Sequence, residues 1–271
     1  MKNLTGKVAV VTGASAGIGR SIALALAAEG CRVVLISRRQ EELDKLALEI
    51  QAQGGQAIAI AADFGKSDKI REAIADIERT VAPIDILVNN VGAGTFKPLH
   101  LTSVEECDQA IQLPFVAAMT ATHAVVTGMV QRKTGHIVNM TSPAGIFPLP
   151  FMVPYTAARH AMVGLSHALY EELHSYGIGV SLICPSQVDT GYFANNDADI
   201  SWYPKISSVF PILKPEDVAE AVVDAIKNNH REVILPQMLK AFIGTFRKTP
   251  RLSVHLLSMF GLWGPSKSGA V

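Results

Sequence analysis

The chain has 271 residues, 49% of them apolar, and its 24 basic and 24 acidic side chains give a formal net charge of zero. That length suits one large α/β domain with a sizeable core, and the balanced charge gives no sign of nucleic acid as a partner, so none is expected. Cys31, Cys107 and Cys184 are scattered and odd in number, so they match no metal spacing and no disulfide framework; three small buried apolar residues in a reducing, cytoplasmic compartment are expected.

In chain order, Met1–Lys7 is short and polar and lacks a signal-peptide pattern. Val8–Val11 reads as a strand and Gly17–Glu29 as a helix, followed by a strand at Arg32–Ile36 and a helix at Glu41–Gln53. Strands at Ala57–Ala61 and Ile84–Val88 flank a helix near Lys66–Val81, and His136–Met140, Gly179–Ile183 and Val233–Leu235 continue the series. Such alternation requires crossover connections, hence a mostly parallel, doubly wound sheet with helices on both faces, a Rossmann-like α/β fold. The strand runs are nearly all apolar, as strands covered on both sides must be. Residues 1–271 are expected to form a single dinucleotide-binding and catalytic domain.

Two segments break the rhythm. Thr190–Lys214 carries Phe193, Trp202, Tyr203 and Phe210 among Asn195-Asn196-Asp197 and two prolines, without a helical period; it reads as a substrate-covering lid, with an ordinary surface excursion as the alternative. At the carboxyl end, about 236–271, Met238–Phe246 and Leu252–Trp263 are apolar segments split by Arg247, Lys248, Pro250 and Arg251. They suit a subunit interface or a cover over the substrate pocket, and less well a peripheral membrane contact. No stretch approaches the ~18 apolar residues of a membrane span.

The chemistry concentrates in three places. Thr12-Gly13-Ala14-Ser15-Ala16-Gly17-Ile18-Gly19 lies between the first strand and the first helix, where glycines let a pyrophosphate approach the helix amino terminus. The second strand ends in Ser37-Arg38-Arg39 with no acid before Glu41. A hydroxyl and two guanidiniums suit a 2′-phosphate, which favours NADP(H) over NAD(H), with Arg38 the preferred ligand. Tyr155 and Arg159 stand four apart and share a helix face, with Ser142 thirteen residues upstream. A fixed cation there favours the phenolate, and the serine hydroxyl can share a substrate oxygen with the tyrosine.

These motifs, with Asn89-Asn90-Val91-Gly92, resemble the short-chain dehydrogenase/reductase family from about Lys7 to Leu235. The resemblance implies that Asp63 contacts the adenine and that Asn90, Gly92 and their neighbours line the cofactor. It makes Thr190, in Pro185-Ser186-Gln187-Val188-Asp189-Thr190, the holder of the nicotinamide carboxamide. It gives Tyr155 the acid/base role, Ser142 the substrate oxygen, and Arg159 the place of a lysine that binds the nicotinamide ribose. Arginine keeps the charge but is planar and does not release its proton, so weakened chemistry is expected. Counting back from Thr122–Met129 sets Pro114 where the family has a water-holding asparagine. A proline there kinks the helix and deprives the Ala110 carbonyl of its partner, which opens a replacement water site. Val91 for alanine reads as packing, and Ser186 for glycine restricts the backbone beside the nicotinamide.

Gly145–Pro154 between Ser142 and Tyr155 is almost wholly apolar, which favours a small lipophilic ketone or secondary alcohol, packing against a neighbouring subunit being the alternative. The expected function is an NADP(H)-dependent oxidoreductase moving a hydride between nicotinamide and a carbonyl or alcohol. The rival is a catalytically weak dinucleotide-binding sensor or scaffold. By the resemblance, Val104–Arg132 and Pro154–Tyr176 build a homodimer or homotetramer.

Overall fold

The computed structural model describes residues 1–192 and 199–265. Seven strands, β1 Val8–Thr12, β2 Arg32–Ser37, β3 Gln56–Ala61, β4 Ile86–Asn89, β5 Gly135–Met140, β6 Ile178–Pro185 and β7 Glu232–Leu235, form one sheet in the order β3-β2-β1-β4-β5-β6-β7. Every neighbouring pair is parallel. The chain winds outward from β1 in one direction and then restarts at β4 in the other. The crevice between the carboxyl ends of β1 and β4 is therefore a topological switch point, where ligands bind in open α/β sheets.

Alternation along each strand sends consecutive side chains to opposite faces. Val11, Leu35, Val88 and Val138 pack under α1 Gly17–Ala28, α2 Gln40–Ala52 and α7 Pro215–Asn228. Val10, Val34, Leu87 and Ile137 pack under α3 Ser67–Thr80, α5 Ala117–Arg132 and the end of α6 Val153–Leu173. The expected elements agree with these within a residue or two. Asp85, just before β4, accepts from Val8 N at 3.0 Å and Lys7 Nζ at 3.2 Å through its carboxylate.

The helix before β5 holds one surprise. α4 Val104–Ile111 passes into α5 through a π-helical turn, Gln112–Val116, with Pro114 buried inside it. Proline has no N–H to give the carbonyl four residues back, and the ladder widens to five-residue bonds, with Ala117 N donating to Gln112 O. The continuous run Val104–Arg132 has 29 residues and a mean hydropathy of 1.5 over its most apolar window. By length and composition it is able to cross a membrane, contrary to the expectation that no stretch comes close. In this fold Ala117, Ala121, Val125 and Met129 spend that apolarity against the sheet.

Beyond β7, α8 Gln237–Lys248 and α9 Pro250–Met259 fold back over the end of the sheet. Leu239, Ile243, Phe246 and Leu257 join Phe147, Ile206 and Phe210 in a separate apolar cluster. The segment thus packs within the chain against Phe147, Ile206 and Phe210, which line the cavity described below. The segment before α7 contains two short 3₁₀ turns, Ile200–Trp202 and Lys205–Val209. Phe193, Asn195, Asn196 and Asp197 lie outside the described residues.

Candidate active site

The cradle at the switch point is made by backbone. Gly13 and Gly17 have φ of +67° and +53°, a region that disfavours any side chain. A Cβ on Gly19 would collide with the Gly13 carbonyl and the Asn90 amide. Asn90 fastens the loop by donating Nδ2 to Thr12 O at 3.0 Å, while Thr12 Oγ1 accepts from Asn90 N at 2.9 Å. The start of α1 is thus left open to an anion, with Ser15, Gly17 and Ile18 around it. At the end of β2, Ser37 is buried and its Oγ accepts from Arg39 N at 3.1 Å. Arg39 rather than Arg38 reaches across, giving Nη2 to Ser15 Oγ at 3.0 Å. Both arginines line the cavity, as do Asp63, Gly92 and Thr190. Asp63 Oδ1 accepts from Gly65 N, and Thr190 packs on the Gly17 turn with its Oγ1 accepting from Tyr192 N.

The same cavity, 530 Å³ in volume, continues to Ser142, Tyr155 and Arg159. Ser142 lies two residues beyond β5, capping the 3₁₀ turn Pro143–Gly145, and accepts from Ala144 N at 3.2 Å, which leaves its O–H available to donate into the cavity it lines. Tyr155 and Arg159 rise on the first turns of α6, and Pro154 inside that first turn costs no hydrogen bond. Arg159 is 6% exposed. Its Nη1 donates to Met140 O at 2.9 Å, and its Cζ lies 4.9 Å from the centre of the Tyr155 ring. A cation in that position is attracted by the ring face. Burial works against the charge, but the facing phenols of Tyr155 and Tyr192 more than offset it and hold the guanidinium above its ordinary pKa range. Arg159 Nε is buried with no partner among the described residues.

Around the phenol the walls are apolar and aromatic. Phe96, Ala144 and Met152 surround Tyr155, with Leu149, Tyr192, Trp202 and Tyr203 packed on them. Phe96 meets the edges of Tyr155 and Tyr203 at 5.5 Å each. Burial, reinforced by the neighbouring Tyr155, pushes both Tyr192 and Tyr203 well above the ordinary phenol range, so they stay protonated. Phe151 holds a left-handed φ of +62° with its ring 5.2 Å from Trp202. A bulky residue takes that conformation only at a cost of about 1–2 kcal/mol, here in exchange for packing that braces the wall.

The structure brings the catalytic and cofactor-binding residues singled out in the sequence to one cavity and leaves Pro114 out of it. Two expectations change. Ser186 takes no left-handed φ, so a side chain there is unstrained, and it bonds Leu235 O through N and Pro211 O through Oγ. Leu113, not its neighbour Pro114, lines the cavity. Sequence reasoning passed over Phe96 and Tyr192, which sit outside the motifs. It also passed over a buried polar chain in which Asn89 donates to Asn139 and Thr122, Asn139 to Ser166, and Ser166 to Met162 O. Register offered a signal for this chain, because Asn89 and Asn139 are direct partners across β4 and β5.

A glycine cradle at a switch point that shares its cavity with a tyrosine, a serine and a buried cation defines a dinucleotide-binding oxidoreductase. Residues 7–201 match the family model described as short chain dehydrogenase, and the chain belongs to that family. The ketoacyl reductase HetN of a Nostoc species is 35% identical over 240 residues, covering 88% of this chain and 81% of that protein. A metagenomic short-chain oxidoreductase in complex with NADP is 34% identical with a TM-score of 0.73, over 86% of this chain and 97% of that one. A short chain dehydrogenase/reductase from Burkholderia phymatum in complex with NAD is 25% identical with a TM-score of 0.83, over 93% and 96% of the two chains.

Proposed function

We propose that the protein is an NADP(H)-dependent oxidoreductase that interconverts a carbonyl and a secondary alcohol on a lipophilic substrate. The observation that carries this reading is the single cavity joining the Gly13–Gly19 cradle to Ser142, Tyr155 and Arg159. The site fits a dinucleotide on its own geometry, because its glycines let the turn close on Asn90 and Thr190 and leave the start of α1 bare, and the buried Arg159 Nε has no partner among the described residues. Gly13, Ser15, Gly17, Ile18 and Gly19 would hold the pyrophosphate; Asp63, Asn90, Gly92 and Thr190 would line the rest. Ser37, Arg38 and Arg39 would hold a 2′-phosphate, and the Arg39–Ser15 bond ties one guanidinium to the edge of the cradle. When bound, the nicotinamide supplies or accepts the hydride.

The chain's own residues do the remainder. Ser142 donates its O–H to the substrate oxygen and orients it. Tyr155 gives that oxygen a proton as the carbonyl is reduced and takes it back in the reverse direction. Arg159 keeps a positive charge against the phenol throughout, held by Met140 O. Phe96, Met152, Tyr203 and the 199–210 segment exclude water and face an apolar substrate body, with residues around 190–214 acting as the lid. Apolar side chains exposed along the helix pair, such as Val104 and Met119 and, on α6, Val153, support a homodimer or homotetramer built on these helices.

The test is NADPH oxidation across a panel of hydrophobic ketones, with NADH in parallel. Turnover with NADPH is expected, and Tyr155→Phe should lower kcat by about 10²–10⁴-fold. A second reading, a dinucleotide-binding sensor with little turnover, rests on the inward anchoring of Arg159 to Met140 O. Tight NADPH binding without oxidation on any ketone would select it.

A further inference from the structure

We propose that the outward face of α9, with the basic residues around it, docks this protein on an anionic lipid bilayer. The helix has two apolar sides. Val254 and Leu257 pack into the cluster over the cavity. Leu252, Leu256, Met259 and Phe260 point away from it and are 55%, 42%, 66% and 73% exposed. Their spacing of four, seven and eight residues places all four on one stripe about 100° wide. A soluble monomer scatters its exposed apolar residues singly, and a contiguous patch of large ones marks a docking surface.

Charge identifies the occupant. Residues 236–271 contain Lys240, Arg247, Lys248, Arg251 and Lys267 and no acid at all, so the other 235 residues of this neutral chain are five negative. Arg247 is paired with Glu232, whereas Lys248 and Arg251, exposed at the α8–α9 junction, flank the apolar stripe. In a symmetric contact between two copies each patch meets itself, so Lys248 and Arg251 would come close to their own counterparts, with no acid in the segment to relieve them. An anionic bilayer meets both demands, since acyl chains receive the stripe and headgroups the cations. Docking on α9 also sets the membrane beside the cover of the substrate cavity, because Leu257 shares a cluster with the cavity-lining Ile206 and Phe210. The docking stands whether or not the substrate is itself a lipid.

The experiment is co-sedimentation of the full chain with phosphatidylglycerol-rich vesicles and with vesicles of phosphatidylcholine alone. Binding to the anionic vesicles is expected to be at least about tenfold tighter and to weaken as salt screens the basic residues. The double variant Met259→Glu/Phe260→Glu, which alters exposed positions only, should abolish it while thermal melting stays unchanged. Equal binding to both vesicle types, or full binding by the double variant, overturns the proposal. So does absence of vesicle binding combined with a change of molecular mass in the double variant, which would make the stripe a contact between copies. NADPH oxidation by the same preparations reads the catalytic proposal separately.

Discussion

Arg159 puts a buried positive charge against the Tyr155 ring. The guanidinium is spread over four neighbours: Met140 O, the Tyr155 ring, the Tyr192 phenol and the backbone at Gly92. A Cβ at Gly92 would lie 2.6 Å from Arg159 Nη2, closer than two such atoms tolerate, so arginine depends on the missing side chain. Gly92→Ala is therefore expected to displace the guanidinium and reduce kcat by about tenfold or more, as small misplacements in a positioned site do; steady-state kinetics with NADPH check this, and an unchanged kcat would show the cation position to be immaterial. The second guanidinium to watch is Arg39. Arg39→Ala removes its bond to Ser15 and one charge-assisted contact, and should weaken NADPH binding by about 1.5–3 kcal/mol while leaving NADH nearly untouched. Equal losses for both nucleotides, read by fluorescence titration, would remove the 2′-phosphate from its role. The choice between Arg38 and Arg39 was illegible in the sequence, because it turns on which side chain the bend after β2 aims back at α1. Tyr155, Ser142 and the glycines were legible, because their spacing is fixed by the elements that carry them.

At the level of elements, most of the fold could be read because each strand is a short β-branched run with a helix after it, and burial on both faces leaves no polar alternation to confuse the pattern. The π-turn at Gln112–Val116 could be foreseen only as a break. Proline announces a lost hydrogen bond, but whether the helix kinks or widens depends on what packs around it, and here Pro114 is buried between α4 and α5. The widening turns Leu113 toward the cavity and keeps position 114 behind it. An asparagine introduced at 114 would thus bury its amide rather than present it to a substrate. Pro114→Asn is expected to leave kcat within about twofold while costing about 1–3 kcal/mol of stability for the buried polar group, measured by denaturant melts and steady-state assay. A marked rise in kcat would instead mean that the amide restores a proton relay through this position. The carboxyl-terminal helices were illegible in a different way. Their apolar residues are enough for a cover and a docking face at once, and only the folded structure separates the Leu257 side from the Phe260 side.

For the molecule as a whole, the pH dependence of folding should be governed by a residue away from the active site. His136 is the second residue of the wholly buried β5, 1% exposed, with Nε2 set 2.9 Å from Ser181 Oγ. The Ser181 hydroxyl in turn donates to His230 O at 2.6 Å, so its oxygen is the acceptor and the imidazole is the neutral form with its proton on Nε2. Burial, with a minor contribution from the chain's amino terminus, pushes the His136 pKa down from 6.5 to about 3. The unfolded chain therefore binds a proton that the folded protein refuses throughout that interval. Stability rises with pH wherever the unfolded state holds more protons. The contribution is accordingly complete above about pH 6.5, falls as the pH is lowered toward 3, and totals a few kcal/mol over the window. Urea melts at successive pH values should show this slope in the parent. His136→Gln, which supplies a neutral donor to Ser181, should flatten it while lowering stability at neutral pH. If the slope survives in the variant, the acid sensitivity comes from carboxylate pairs, such as the one that Arg247 makes with Glu232, which lose their charge only below the usual carboxylate range. The two sources therefore separate by where the stability curve bends, near neutrality for the histidine and in strong acid for the carboxylates.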